Sequence, residues 1–408
     1  MSNNADILYQ KNGTIYSVPV TVIEIQNGEA GYRKEQLMIE NGNITGSQPV
    51  ESSPEFFVTA GFINCHMHWL MTGSACSFEE MMETVAGKPE QAVEKAISYA
   101  RSSLKLGITF GIDKGPPGYC GAPVYRGMMD AIAKGEPMTN TIFSTWAFMA
   151  PGSFGEPYAR MIHSLKEMEI ALLELEATGA GVSKFIPESP FLIDKKGYRF
   201  VFPGEWFQYA RSAARQKNWV FAVHAKGTET LDQCIRVQAD CVEHGVQASA
   251  EQLRAFQEKN IYLGPTLDGL LCRLEHSRET GQKLEETTYE WEAVCQMVGM
   301  ASTLNDGRPF THMLFASDAG SYVTPHASLR ELYLMRKMGY EPASVFEAAT
   351  VNGANCLKRN NMGTVKKGKK ADLIFWFENP LELPLEEWEH LENYIAAVIL
   401  DGNTVVVR

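Results

Sequence analysis

Five side chains of metal-ligating type stand out in the 408-residue sequence: His66 and His68 in FINCHMH, His224 in WVFAVHA, His244 in DCVEHG and Asp318 in FASDAG. In an extended strand, residues i and i+2 point to one face, so His66 and His68 can deliver two imidazoles to one ion. Each member also has an ordinary reading. A His-x-His pair arises incidentally, a lone histidine is more often structural, and an Asp after a strand commonly caps the next helix. Lys184 adds a sixth feature. It lies in the apolar run GAGVSKFIP, where a lysine must lose its charge, find a partner, or extend its stem to the surface. The combination is far more specific than any member, because all six sit in or at the end of short β-prone runs.

Eight such runs can be placed: FVTAGFINC (57–65), GITFGID (107–113), TIFSTWA (141–147), VSKFI (182–186), WVFAVHA (219–225), ADCVEH (239–244), IYLGP (261–265) and HMLFASD (312–318). Segments with helical periodicity, such as PEQAVEKAISYARSSLKLG and SLKEMEIALLELEATGAG, separate them. Strand–helix alternation repeated eight times predicts a parallel (β/α)8 TIM barrel, whose active site lies at the C-terminal ends of its strands. Residues 267–310 form the longest interval without a strand; they read as helical, with an insertion over the mouth as one option. The chain ends differ from this pattern. TIYSVPVTVIEI and EQLMIENGNI at one end, and ADLIFWF and YIAAVILDGNTVVVR at the other, are β-prone with Asn-Gly and Asp-Gly turns. Neither end can build a core alone, so residues 1–57 and 363–408 are expected to form one small β-sandwich domain beside a barrel spanning 58–362.

Composition narrows the class. The chain is 45% hydrophobic and 21% charged with a net charge of −12, and it lacks the basic stripe of a nucleic-acid-binding protein. Its one dense basic run, Lys366-Lys367-Gly368-Lys369-Lys370, reads as a solvated turn. The first residues show no secretory pattern, and no apolar stretch approaches the roughly 18 residues of a membrane span. Eight cysteines without a Cys-x-x-Cys pair point to reduced thiols, with Cys65, Cys234, Cys241 and Cys356 as small buried hydrophobes. A cytoplasmic homo-oligomer with no nucleic-acid or membrane partner is the expectation.

With these motifs the sequence closely resembles the amidohydrolase superfamily, in its metal-dependent prolidase, carboxypeptidase and imidazolonepropionase-like branch. AGFINCHMH is similar to the first-strand motif, GAGVSKFI to the lysine strand, and WVFAVHAKG, DCVEHG and FASDAG to strands five, six and eight. ASLRELYLMRKMGYEPASVFEAATVNGANCL resembles the final helices, and NMGTVKKGKKADLIFWFENPL the return to the small β-domain. The resemblance implies that His66, His68 and Asp318 bind a buried metal and that His224 and His244 bind a more exposed one. It implies that Lys184, carboxylated by CO2, bridges the pair, and that water activated between the ions attacks a C–N bond. Asp318 would shuttle the proton. Zinc suits the donor set, and manganese, iron or cobalt fit too. Ala60 and Asn64 depart from the Pro and Asp usual in the first motif; neither is a ligand, but Asn64 bears on ligand orientation.

Two other functions are open. A mononuclear deaminase of the same superfamily would carry a Glu three residues after the fifth-strand histidine, where this chain has Gly227. A non-catalytic barrel serving as an interaction protein would have lost ligands, whereas all are present here. The substrate, a small-molecule amide, dipeptide or cyclic amide, is read only from loops. Trp146, Phe148, Met149 and Phe154 in WAFMAPGSFGEPY (146–158) would line an apolar pocket or pack in the core. GPPG in GPPGYCGAP (115–123) reads as a turn, and His326 in SYVTPHAS (321–328) could touch substrate. Tyr119, Arg126 and Arg199 are possible carboxylate binders, and His163 reads as the surface of a helix.

Overall fold

The computed structural model describes residues 7–11, 13–74, 80, 88–115, 121–153, 159–324 and 329–408. Seven strands follow one another in parallel: Phe62–Met67, Ile108–Asp113, Asn140–Phe143, Val182–Phe185, Val220–Ala225, Cys241–His244 and Tyr262–Gly264. The third reaches the fourth through Gly181 N, which donates to Phe143 O at 3.1 Å, and through a continuation, Ala147–Met149, in which Ala147 pairs with Lys184. Residues 312–318 supply the eighth stave as an extended segment rather than a regular strand. Leu314 N donates to Leu263 O at 2.8 Å, and Cys65 N donates to Phe315 O at 2.8 Å, so this segment joins the seventh strand to the first and closes the barrel. The expected (β/α)8 architecture is what forms.

The helices obey simple local rules. Leu165–Ala177 begins where Ser164 Oγ accepts from Glu167 N, and it buries Met168, Ala171, Leu172 and Leu175, one stripe at helical spacing. Ala250–Glu258 starts with a reciprocal capping box between Ser249 and Gln252. The interval 267–310 is helical as expected, with Leu267–Thr280 and Leu284–Ala301 both placed after the seventh strand. Among the described residues, no helix is long and apolar enough to cross a membrane.

Both chain ends enter one nine-stranded sheet separate from the barrel. Its central strands alternate apart from Ala396 and Ala397, which both join the sandwich cluster. Val20, Val22, Leu373, Phe375, Ala397 and Ile399 face one apolar cluster, while Ile23, Ile25, Ile374, Trp376, Val398 and Leu400 join the main core. The sheet is therefore apolar on two faces, one for its own sandwich core and one for the barrel. One expectation needs correction here. The run 57–65 is not a single strand: Phe56–Ala60 belongs to the terminal sheet, paired with Leu373–Trp376, and the barrel strand starts at Phe62. Gly61 makes the break. Its N–H donates to Asp372 O at 2.8 Å, and a Cβ there would meet Thr109 Oγ1 at 2.2 Å, so the chain can cross between sheets only without a side chain. The third strand is also shorter than expected, ending at Phe143, because Ser144 Oγ turns to bond Trp146 O at 2.7 Å.

Candidate metal centre

The barrel interior is layered. Ile63, Cys65, Phe110, Ile112, Val182, Val220, Ala222, Cys241, Leu314 and Ala316 form an apolar floor. Above it lies a cavity of about 250 Å³ lined by His66, His68, Lys184, His224, His244 and Asp318, the six residues singled out in the sequence. Strand alternation alone would not deliver them all. Cys65 already points inward, and a register irregularity between Asn64 and Met67 turns His66 and His68 toward the same interior. Glu243 and His244 are consecutive yet both reach the site, which a regular strand forbids; His244 manages it with a left-handed backbone, φ +72°. Thr266 (φ +52°) and Asp318 (φ +57°) adopt the same region at the ends of the next two staves. Three uncommon conformations at one rim indicate strain held by the surrounding fold.

Hydrogen bonds orient each ring. His68 Nδ1 lies 3.0 Å from Gly115 O, which can only accept, so Nδ1 carries the proton. Its Nε2 then faces Asp318 Oδ1 at 3.0 Å, and His66 Nε2 faces the same oxygen at 3.3 Å. Ligand atoms of His66, His68 and Asp318 all lie within 4.8 Å of one another. A neutral imidazole lone pair directed at a carboxylate needs a cation between them, either a proton or a metal. Burial pushes the His66 pKa down to about 4 despite Glu243, which favours the metal reading. Burial also depresses His68, but the hydrogen bond and charge of Asp318 outweigh it and the net shift is upward. Asp318 is held below the usual carboxylate range because His66, His68 and Lys184 outweigh its own burial.

On the opposite wall, His244 Nε2 and His224 Nδ1 are 2.9 Å apart, and His244 Nδ1 meets Thr266 Oγ1 at 2.6 Å. His224 Nε2 lies 3.3 Å from Glu188 Oε1. Burial, then neighbouring cationic groups, push both histidines well below their ordinary pKa, keeping them neutral as ligands must be. Lys184 Nζ is buried with no hydrogen-bond partner, 3.9 Å from Glu243 Oε1, and burial lowers its pKa to about 8.

Several participants were not anticipated. Lys114 is fully buried and ion-paired to Glu243 Oε1 at 2.9 Å, and Glu243 Oε2 lies 2.6 Å from His66 Nδ1. A buried lysine directly after the strand GITFGID and a glutamate inside the strand Cys241–His244 give a signal akin to that of Lys184: charge beside or within a buried strand. Gly269 packs against Asp318, where an added Cβ would approach Asp318 Cβ to 2.9 Å. Asn64, the departure from Asp, accepts from His66 N at 3.2 Å and Ser317 N at 3.3 Å and donates to Ser317 Oγ at 2.7 Å. The amide thus still ties the first stave to the eighth.

The loop candidates fare differently. Met149 lines the cavity, but Trp146 and Phe148 are core, with Phe148 stacked on Phe185 at 4.8 Å. Arg126 is exposed and bonds its own helix, while Arg199 lines a separate cleft of about 950 Å³ that holds none of the six residues. His163 is exposed but precedes the helix Leu165–Ala177 rather than lying in it. Tyr119, Phe154, His326 and most of the 115–118 turn lie outside the described residues.

The sequence profile described as the amidohydrolase family matches residues 57–405. The chain belongs to the amidohydrolase family. This amidohydrolase is therefore a hydrolase of C–N bonds, in a family that generally binds divalent metals. Solved structures share its fold at low identity. A Xaa-Pro dipeptidase with bound methionine aligns with TM-score 0.78 and 19% identity over 95% of this chain and 100% of its own. The A. niger ochratoxinase gives 0.78 and 17% over 94% of each chain. Molinate hydrolase gives 0.72 and 16% over 95% and 94%. No curated protein matches at the sequence level.

Proposed function

We propose that this amidohydrolase cuts the C–N bond of a small-molecule amide, dipeptide or cyclic amide at a centre of two divalent ions, zinc by donor type. His66, His68 and Asp318 would hold one ion and His224 and His244 the other, with carboxylated Lys184 between them. The observation that carries this reading is the convergence of all six side chains on one cavity, with the ligand atoms of His66, His68 and Asp318 within 4.8 Å of one another. Lys184 supports two ions over one. Its buried amine has no hydrogen-bond partner and an unusually low proton affinity, so the free base can add CO2 and release a proton, giving a two-oxygen anion. A mononuclear deaminase leaves that amine without a role.

The ions, when bound, supply a water of lowered pKa and polarise the substrate carbonyl. Asp318, ionised and held by His66 and His68, takes the proton from the attacking water and returns it to the leaving nitrogen. Gly115 O fixes the His68 ring, and Asn64 fixes the backbone at His66, so the receiving oxygen stays in place. Met71, Met149, Ile186 and Leu270 line the cavity and exclude water, which favours a substrate with an apolar part. The similar Xaa-Pro dipeptidase supports a dipeptide-like amide. Elemental analysis together with a screen of N-acyl amino acids, dipeptides and cyclic amides tests the proposal. Nearly two divalent ions per chain and amide turnover are expected. A folded, metal-replete protein that stays at one ion, or one that turns over lactones or phosphotriesters but no amide, would overturn it.

A further inference from the structure

We propose that Lys114 and Glu243 are a positioning pair that fixes the His66 imidazole as its Nδ1–H tautomer and aims Nε2 at the ion, an inference that rests on the metal-centre reading above. Three buried groups stand in line: Lys114 Nζ to Glu243 Oε1 at 2.9 Å, and Glu243 Oε2 to His66 Nδ1 at 2.6 Å. His66 is 2% exposed, and the other two are fully buried, so water cannot substitute for any partner. The Nδ1–Oε2 approach is close but angled away from ideal hydrogen-bond alignment. Two bare lone pairs at 2.6 Å would repel strongly, and a proton carried by one of the two atoms relieves that repulsion.

That proton belongs to nitrogen. Glu243 Oε1 accepts from the Lys114 ammonium at 2.9 Å and from the Cys241 thiol at 3.1 Å, the pairing of a carboxylate anion. An ionised carboxylate only accepts, so Nδ1 donates and the lone pair is left on Nε2. Nε2 is the atom that faces Asp318 Oδ1. Lys114 is needed because a lone buried carboxylate would take up a proton and cease to be an acceptor for His66. Cys241 completes the support, its thiol 3.1 Å from Glu243 Oε1 and 3.7 Å from Lys114 Nζ. A carboxylate behind a ligand imidazole fixes its tautomer and strengthens it as a donor, and losing such a partner commonly weakens metal binding about 10–100-fold.

A merely structural ion pair is distinguished by removing both charges together. In K114M/E243M the two charges leave together and His66 loses its acceptor; Lys184, 3.9 Å from Glu243 Oε1, loses a neighbour too, so circular dichroism and thermal unfolding check that the fold is retained. K114M/E243Q keeps a carbonyl acceptor at the same place. Two-bond 1H–15N spectra of metal-free, histidine-labelled protein, with His66 assigned by comparison with H66N, report the tautomer directly, and chelator competition reports metal affinity. Wild type should show Nδ1–H. K114M/E243M should lose that preference and bind its tighter zinc ion about 10–100-fold more weakly, and K114M/E243Q should recover most of both. An Nε2–H tautomer in wild type, or wild-type affinity in K114M/E243M, would overturn the proposal. If wild type binds no divalent ion, the metal-centre reading fails, and the spectrum of the metal-free protein still decides where the proton sits.

Discussion

The two walls of the cavity are built differently. On the side of the first and eighth staves, two imidazoles converge on one ionised carboxylate oxygen, and a second carboxylate, Glu243, stands behind His66. On the side of the fifth and sixth strands, two histidines face each other at 2.9 Å, supported by the Thr266 hydroxyl and by Glu188, whose pKa burial raises to about 7. The first wall presents an ionised carboxylate to the cavity; the second presents neutral rings and an amine, with its carboxyl, Glu188, behind His224 and outside the cavity lining. A dication can therefore be held by the first wall as built, whereas the second needs the anion that Lys184 can become. The walls should differ in affinity, and only one should depend on CO2.

The largest way to break this contrast is at the carboxylate both functions share on the first wall. D318N should lower kcat by roughly three or more orders of magnitude on any identified amide while the fold persists, since ligand and proton carrier are lost together. Near-wild-type turnover would remove Asp318 from the chemistry. Next comes the second wall's missing charge. K184R cannot form the carbamate, so its metal content by elemental analysis should fall from about two ions to one, with the first wall still filled. Wild type loaded in 13C-bicarbonate should show a carbamate resonance that K184R lacks; two ions beside a bare ammonium would end the asymmetry argument. A smaller effect is expected at Thr266. T266V removes the partner of His244 Nδ1 at nearly constant volume and should weaken the second ion about tenfold, leaving the first unchanged. Equal weakening of both ions would mean the walls are not independent.

The smallest effect concerns Lys184 in metal-free protein. Its folded pKa of about 8 lies below the ordinary value of 10.5, so between those values the unfolded chain holds a proton that the folded chain lacks. Stability relative to K184M should therefore rise as pH increases from about 8 toward 10, because the unfolded state binds more protons there. Thermal unfolding of both proteins across that range measures it. A flat difference would place a charged, compensated lysine in the cavity.

The same contrast marks what the sequence could disclose. The six candidate residues were legible because each lies in or at the end of a short β-prone run, and the parallel barrel was legible from eight alternations. The terminal sheet was readable from its turns and β-prone runs. The supporting pair was not, although Glu243 places charge in a buried strand and Lys114 directly after one, because their partners are remote in the chain. Lys114 meets Glu243, and Glu243 meets His66, only after the barrel closes. The aromatics after the third strand, open in the sequence between pocket and core, were decided by the fold. Trp146 and Phe148 carry no mark distinguishing pocket from core, and their burial followed from neighbours such as Phe185.

By itself, then, the sequence determined the periodicity, the fold class and the chemical types delivered to one rim, since these depend on local alternation and residue identity. Tertiary structure alone decided which atom of each imidazole points inward, that Lys114 rather than Lys184 meets Glu243 at 2.9 Å, and how adjacent Glu243 and His244 both reach the site. Those outcomes depend on a break at Gly61, a register irregularity after Asn64 and left-handed backbones at His244, Thr266 and Asp318. Each is a departure from regular geometry held by contacts across the barrel, and no local pattern along the chain encodes it.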